Sequence, residues 1–117
     1  MNNRYYQALF TIVECITNVE SYLGIDIKFE DYENSHLLQD AIERNLEIIG
    51  EAIKRLIVIK PDIEITDVKK IINTRNKISH GYDIIENKQI WNIVKYHLPI
   101  LKQEAETLLN TGTIENK

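Results

Sequence analysis

Cysteine is nearly missing from these 117 residues, with Cys15 the sole example. That excludes an internal disulfide and any metal site built from cysteine alone. With no disulfide framework, the expected compartment is the reducing cytosol. Long hydrophobic runs are missing too. The longest plain aliphatic stretch is Leu56-Ile57-Val58-Ile59, whereas a bilayer span needs about 20 apolar residues. The opening Met1-Asn2-Asn3-Arg4-Tyr5-Tyr6 lacks the apolar block of a secretory signal, so no membrane partner is expected. Nor is there an excess of positive charge. Fourteen Lys and Arg against eighteen Asp and Glu leave a net charge of −4. This argues against coating nucleic acid by bulk electrostatics, but leaves room for a local basic site.

What is present is an ordinary globular composition, 44% hydrophobic and 27% charged, which rules out wholesale disorder. The length fits one domain, expected over residues 1–111, with 112–117 a polar, disordered tail. Two prolines and four glycines punctuate the chain sparsely. Gly24 with the acidic stretch from Asp26 to Asn34 makes one break, Pro61 a second and Gly81 a third.

The segments between these breaks read as helices. Leu9, Val13, Ile16 and Leu23 recur at helical spacing and predict a first helix over Asn3 to Leu23, with Gly24 as its C-terminal cap. A second helix is predicted from near Ser35 to just before Pro61. Its face of Leu38, Ala41, Ile42, Ile49, Ala52, Ile53 and Leu56 is widened by Leu46, Ile48, Ile57 and Ile59. An arc covering about half the circumference exceeds the ~100° a surface helix needs, and so predicts a partner surface. A third helix starts at Thr66 or Asp67, both good N-caps, and runs toward Ser79. A fourth spans about Asn87 to Asn110, with a stripe of Ile90, Val94, Leu98, Leu101, Ala105 and Leu108. Pro99 should kink it, because the bond to the Lys95 carbonyl is lost. Isoleucine is abundant, but no segment alternates with period two over more than a few residues. Ile63-Glu64-Ile65 therefore reads as an extended linker. The expected fold is an all-α, antiparallel four-helix bundle.

Two polar residues stand where apolar ones belong. On the third helix Val68, Ile71, Ile72 and Ile78 form the stripe, and Arg75 falls within it. Asn45 sits likewise between Ala41, Ile42 and Ile49 on the second. An arginine so placed must pair, snorkel or serve a partner, since leaving it buried and unpaired costs several kcal/mol. One reading is structural, with Arg75 bonded to Asn45 or to helix-end carbonyls. The other is functional. Between Lys69 and His80 there are four basic residues, Lys69, Lys70, Arg75 and Lys77, and no acid, while twelve of the eighteen carboxylates precede Thr66. A phosphate-bearing partner would be drawn to that stretch, although Lys69 and Lys70 also suit a plain solvated face.

Arg75 and His80 are five residues apart, about 140° around a regular helix. Either the helix ends near His80 and folds the imidazole back, or a second chain completes the site. Asn76 and His80, four apart, share a face. Metal-free RNA cleavage needs a proton shuttle and a fixed cation on the crowded phosphate. Histidine suits the first and arginine the second. His80 as a metal ligand is disfavoured, because no carboxylate or second histidine lies beside it at ligand spacing. His97 reads as a core histidine and His36 as a surface one.

The run Arg75-Asn76-Lys77-Ile78-Ser79-His80-Gly81-Tyr82 resembles the motif of the HEPN superfamily, and His80-Gly81-Tyr82 its HepT-like branch of toxins. The stretch from Gln39 to Ala52 is similar to the family's long second helix, and Trp91 through Leu98-Pro99 to Lys102 to its last. The likeness extends from about Asn34 to Leu109. It implies a homodimer that joins two motifs across its interface into a metal-independent endoribonuclease needing no cofactor. Arg75 would bind phosphate and His80 act as general acid or base. Asn76, Lys77 and Ser79 would support the phosphate. The resemblance further implies a cognate minimal nucleotidyltransferase antitoxin that adenylylates Tyr82. Against this stand three blander readings: His80 a helix-end cap, Tyr82 a packing aromatic, and the whole chain a non-catalytic nucleotide- or substrate-binding module beside a separate nucleotidyltransferase.

Overall fold

The computed structural model describes residues 3–66, 68–80 and 87–115, and the side chains of 3–66, 68–74 and 87–111. These residues are helical apart from their connections, with no strand among them. The helices are α1 (Asn3–Leu23), α2 (Phe29–Glu33), α3 (His36–Ile59), α4 (Val68–His80), α5 (Asn87–Asn92) and α6 (Leu98–Glu115). A single wide π-turn, Ile93–His97, joins the last two.

The helix ends follow local chemistry. Gly24 takes the left-handed conformation (φ 71°) and donates its N–H to the Glu20 carbonyl at 3.0 Å, stopping α1 as a glycine cap does. The Ser35 hydroxyl accepts the Leu38 N–H at 3.1 Å and caps α3. Lys60 donates the last bond of α3, to Leu56 at 2.7 Å, and Pro61 has no N–H with which to continue.

Packing centres on α3, which lies against both α1 and α4, while α1 also packs on α6. From α1 come Tyr5, Leu9, Ile12, Ile16 and Val19; from α3 come Ile42, Leu46, Ile49, Ile53 and Leu56. Val13 and Leu23, expected on the buried stripe of α1, are half-buried at its flank. The broad apolar arc of α3 has a cause within the chain. One flank meets α1 and the other α4, so its breadth is not by itself evidence for a second subunit.

Three features differ from the sequence expectation. The break between α1 and α3 contains α2, a single turn held by tertiary contacts. Tyr32 is fully buried, its ring and that of Phe29 lie 5.6 and 5.8 Å from Trp91, and the Gln39 amide donates to the carbonyls of Tyr32 and Glu33 at 3.0 and 2.9 Å. Pro99 acts through the π-turn before it. Leu98 donates its N–H to Ile93, five residues back, so the helix widens just before the proline that removes the donor to the Lys95 carbonyl. The last helix also continues past Asn110, through Glu115.

Lys102 on α6 meets Glu20 on α1 at 2.7 Å, a solvent-facing pair worth about 0–1 kcal/mol. Among the described residues no helix is long and apolar enough to cross a membrane.

Candidate functional site

The basic stretch stands on α4, whose entry is fixed from outside. Before it, Thr66 donates its N–H to both carboxylate oxygens of Glu104 at 3.1 and 3.2 Å, and its hydroxyl to one of them at 2.7 Å. Thr66 is thereby bonded to α6, and α4 begins at Val68. Asp67, the other expected cap, lies outside the described residues.

The first half of α4 anchors the helix. Ile71 is buried, and Val68 and Ile72 pack partly against the core. Thr74 is also buried, 8% exposed, an inward position the sequence pattern did not mark. Its hydroxyl donates to the Lys70 carbonyl at 2.9 Å, which lets a polar residue face the core without an unpaired group. Lys69 and Lys70 are exposed, as a solvated face requires.

The motif occupies the last two turns of the same helix. Because α4 runs unbroken through His80, Arg75, Asn76, Lys77, Ser79 and His80 stand on one continuous helical backbone. The positions of Arg75 and His80 are about 140° apart on it, and those of Asn76 and His80 share a face. His80 is the last residue of α4, an end compatible with both arrangements the sequence allows. The side chains from Arg75 to His80, and the expected packing of Ile78 with them, lie outside what is described, as do Gly81 and Tyr82.

On the facing helix, Asn45 is buried, 7% exposed, as its place between Ala41, Ile42 and Ile49 predicts. Its side-chain amide donates to the Ala41 carbonyl at 2.8 Å. One of its donors is therefore used within α3 itself. The remaining histidines divide: His36 is exposed, while His97 is half-buried rather than a core residue. The π-turn displaces His97 from the stripe that regular spacing would give it.

Away from the motif, two of the described groups with displaced protonation lie on α2 and α3. Burial pushes the Tyr32 hydroxyl above its ordinary range, and the Glu43 carboxylate adds to this. Glu43 is itself raised by burial, then by Asp40 and Glu47. Burial also raises the Cys15 thiol, with Glu14 contributing, which keeps it protonated and inert. Among the described residues no group of three His, Cys, Asp or Glu side chains could hold a metal ion.

Comparison with known proteins identifies the family. Residues 12–108 match the family model described as "Ribonuclease HepT-like". A probable ribonuclease HepT of Thermococcus cleftensis is 31% identical over 112 residues, covering 92% of this chain and 98% of that protein. Two proteins provisionally named RNases are also similar. The one from Methanocaldococcus jannaschii is 26% identical over 102 residues, covering 86% of this chain and 84% of its own. The one from Caldanaerobacter subterraneus subsp. tengcongensis is 32% identical over 97, covering 82% and 85%. No solved structure matches the chain. The matched segment includes all of α3 and α4, and with them Asn45 and the run from Arg75 to His80. The chain belongs to the HepT-like ribonucleases of the HEPN superfamily.

Proposed function

We propose that the protein is a metal-independent endoribonuclease toxin of the cytoplasm, acting as a homodimer with an antiparallel four-helix bundle in each subunit. The observation that carries the reading is the helical backbone shared by Arg75 and His80, the last residue of α4, inside the segment that matches the ribonuclease family. Positions 140° apart on a rigid helix cannot both line one face of it, and a site shared between two copies of α4 removes that difficulty.

In this site Arg75 holds the scissile phosphate. Its fork of donors is always charged and matches the oxygens that gain charge as the phosphorus becomes five-coordinate. His80 moves protons. As base it takes the proton of the 2′-hydroxyl, whose oxygen attacks phosphorus in line; as acid it returns a proton to the departing 5′-oxygen. The bond from phosphorus to the 5′-oxygen breaks, leaving a 2′,3′-cyclic phosphate and a free 5′-hydroxyl. Asn76, Lys77 and Ser79 add donors around the phosphate, and Asn45 steadies Arg75 from α3. No metal or cofactor enters.

Control falls to a cognate minimal nucleotidyltransferase. It transfers AMP from ATP to the Tyr82 oxygen with release of pyrophosphate. A bulky anion two residues from His80 then occludes the cleft and competes for Arg75.

The test is incubation of the purified chain with total tRNA and mRNA in EDTA, followed by analysis of the new ends. Cleavage that persists in chelator and leaves 2′,3′-cyclic phosphates supports the reading. Nucleotide binding without turnover, in protein never exposed to the nucleotidyltransferase, would point instead to a binding module.

A further inference from the structure

Far from the motif in sequence, the N-terminal turns of α1, with Arg55 of α3 and Leu109 of α6, line an open trough of about 780 Å3. Its walls include Arg4, Tyr6 and Phe10 from α1 and Arg55 from α3, with no carboxylate among the lining residues. A smaller depression adjoins it, shares Arg4 and Arg55, and adds Lys54 and Val58. Arg4, Lys54 and Arg55 are exposed, and among the described residues none of them forms an ion pair. In a chain with net charge −4, three cations line these two depressions and no carboxylate does. Phe10 lies among them with 60% of its surface exposed. Tyr6 is braced edge-on by the buried Tyr5, with ring centroids 5.1 Å apart.

We propose that this trough is a binding groove for single-stranded RNA, separate from the cleaving motif; the choice of RNA rests on the ribonuclease reading above. Fixed cations that follow a sugar-phosphate backbone, interleaved with exposed aromatic faces on which bases stack, are what unpaired nucleic acid requires. Arg4, Lys54 and Arg55 take the phosphates, and Phe10 and Tyr6 take the bases. An acidic protein surface would satisfy the cations but leave the aromatic faces without a function, so RNA is the better occupant. The groove contains none of the motif residues. It therefore supplies affinity rather than chemistry, and its loss should raise KM more than it lowers kcat.

The test measures binding of a fluorescent single-stranded RNA to the full chain carrying His80→Ala, over a range of salt. Adding Arg4→Gln, Lys54→Gln and Arg55→Gln together should weaken binding and reduce the salt slope by about 2, at roughly 0.7 per lost phosphate contact. Phe10→Ala alone, a surface change with little effect on folding, should weaken binding roughly tenfold without altering that slope. In the His80-intact chain the triple substitution should raise KM for a long single-stranded substrate. Unchanged RNA affinity and salt slope in the triple variant would overturn the groove even if the wild type cleaves RNA. Loss of self-association with RNA affinity unchanged would also overturn it and assign the trough to a second copy. A wild type that binds RNA through these residues yet cleaves none would uphold the groove and defeat the ribonuclease reading alone.

Discussion

Glu104 on α6 accepts both the backbone N–H and the hydroxyl of Thr66, the latter at 2.7 Å, and so ties the approach to the motif helix to α6. The site is solvent-facing, which limits its worth to about 1 kcal/mol. Glu104→Ala is expected to lower unfolding free energy by about that amount in urea titration. It should also speed hydrogen exchange at the start of α4 more than in α1, because the lost contact is local.

Gly24 terminates α1 with φ 71°, and a Cβ built there meets nothing within 4 Å. Only the backbone conformation opposes a side chain. Gly24→Ala should therefore cost about 1 kcal/mol. Gly24→Asn should cost less, since asparagine tolerates the left-handed region better. Thermal melts of the two variants compare them directly.

Glu43 is a pH-dependent liability. Its folded-state pKa is raised by burial and by Asp40 and Glu47, so the fold favours the protonated form. The penalty is absent below the ordinary carboxylate range, grows as pH rises, and is complete above the folded pKa. Glu43→Gln should then stabilise the protein at neutral pH, with the gain shrinking toward zero near pH 4. Denaturant midpoints of both proteins at the two pH values measure this.

The proposed adenylylation of Tyr82 makes a mass prediction. Co-expression with the nucleotidyltransferase should raise the intact mass by whole AMP units, and Tyr82→Phe should abolish the increase. Modification that survives Tyr82→Phe would place the acceptor elsewhere.

The long helices were legible because their boundaries are chemical: Gly24, Ser35 and Pro61 mark ends that the backbone could not avoid. The α2 turn was not. Its five residues lack periodicity of their own and are held by Trp91 and Gln39, which are distant in sequence or lie in the next helix. Pro99 announced a disruption, but whether it bends or widens the helix depends on how Ile93 and Val94 reach the core. At the site, Arg75 and Asn45 stood out as polar residues on apolar faces, and the run to Tyr82 carried the family likeness. The inward turn of Thr74 was hidden, because a threonine satisfied by its own Lys70 carbonyl leaves no mark in the pattern. The trough of Arg4, Lys54 and Arg55 was hidden for another reason. Fifty residues separate its two parts, and only the packing of α1 on α3 unites them.

The most direct test of the central claim is the initial rate of RNA cleavage in EDTA by the wild type against His80→Ala, at matched helix content. Loss of the proton shuttle should reduce the rate by about 10²–10⁴, with Arg75→Ala similarly impaired. An undiminished rate in His80→Ala would contradict the mechanism.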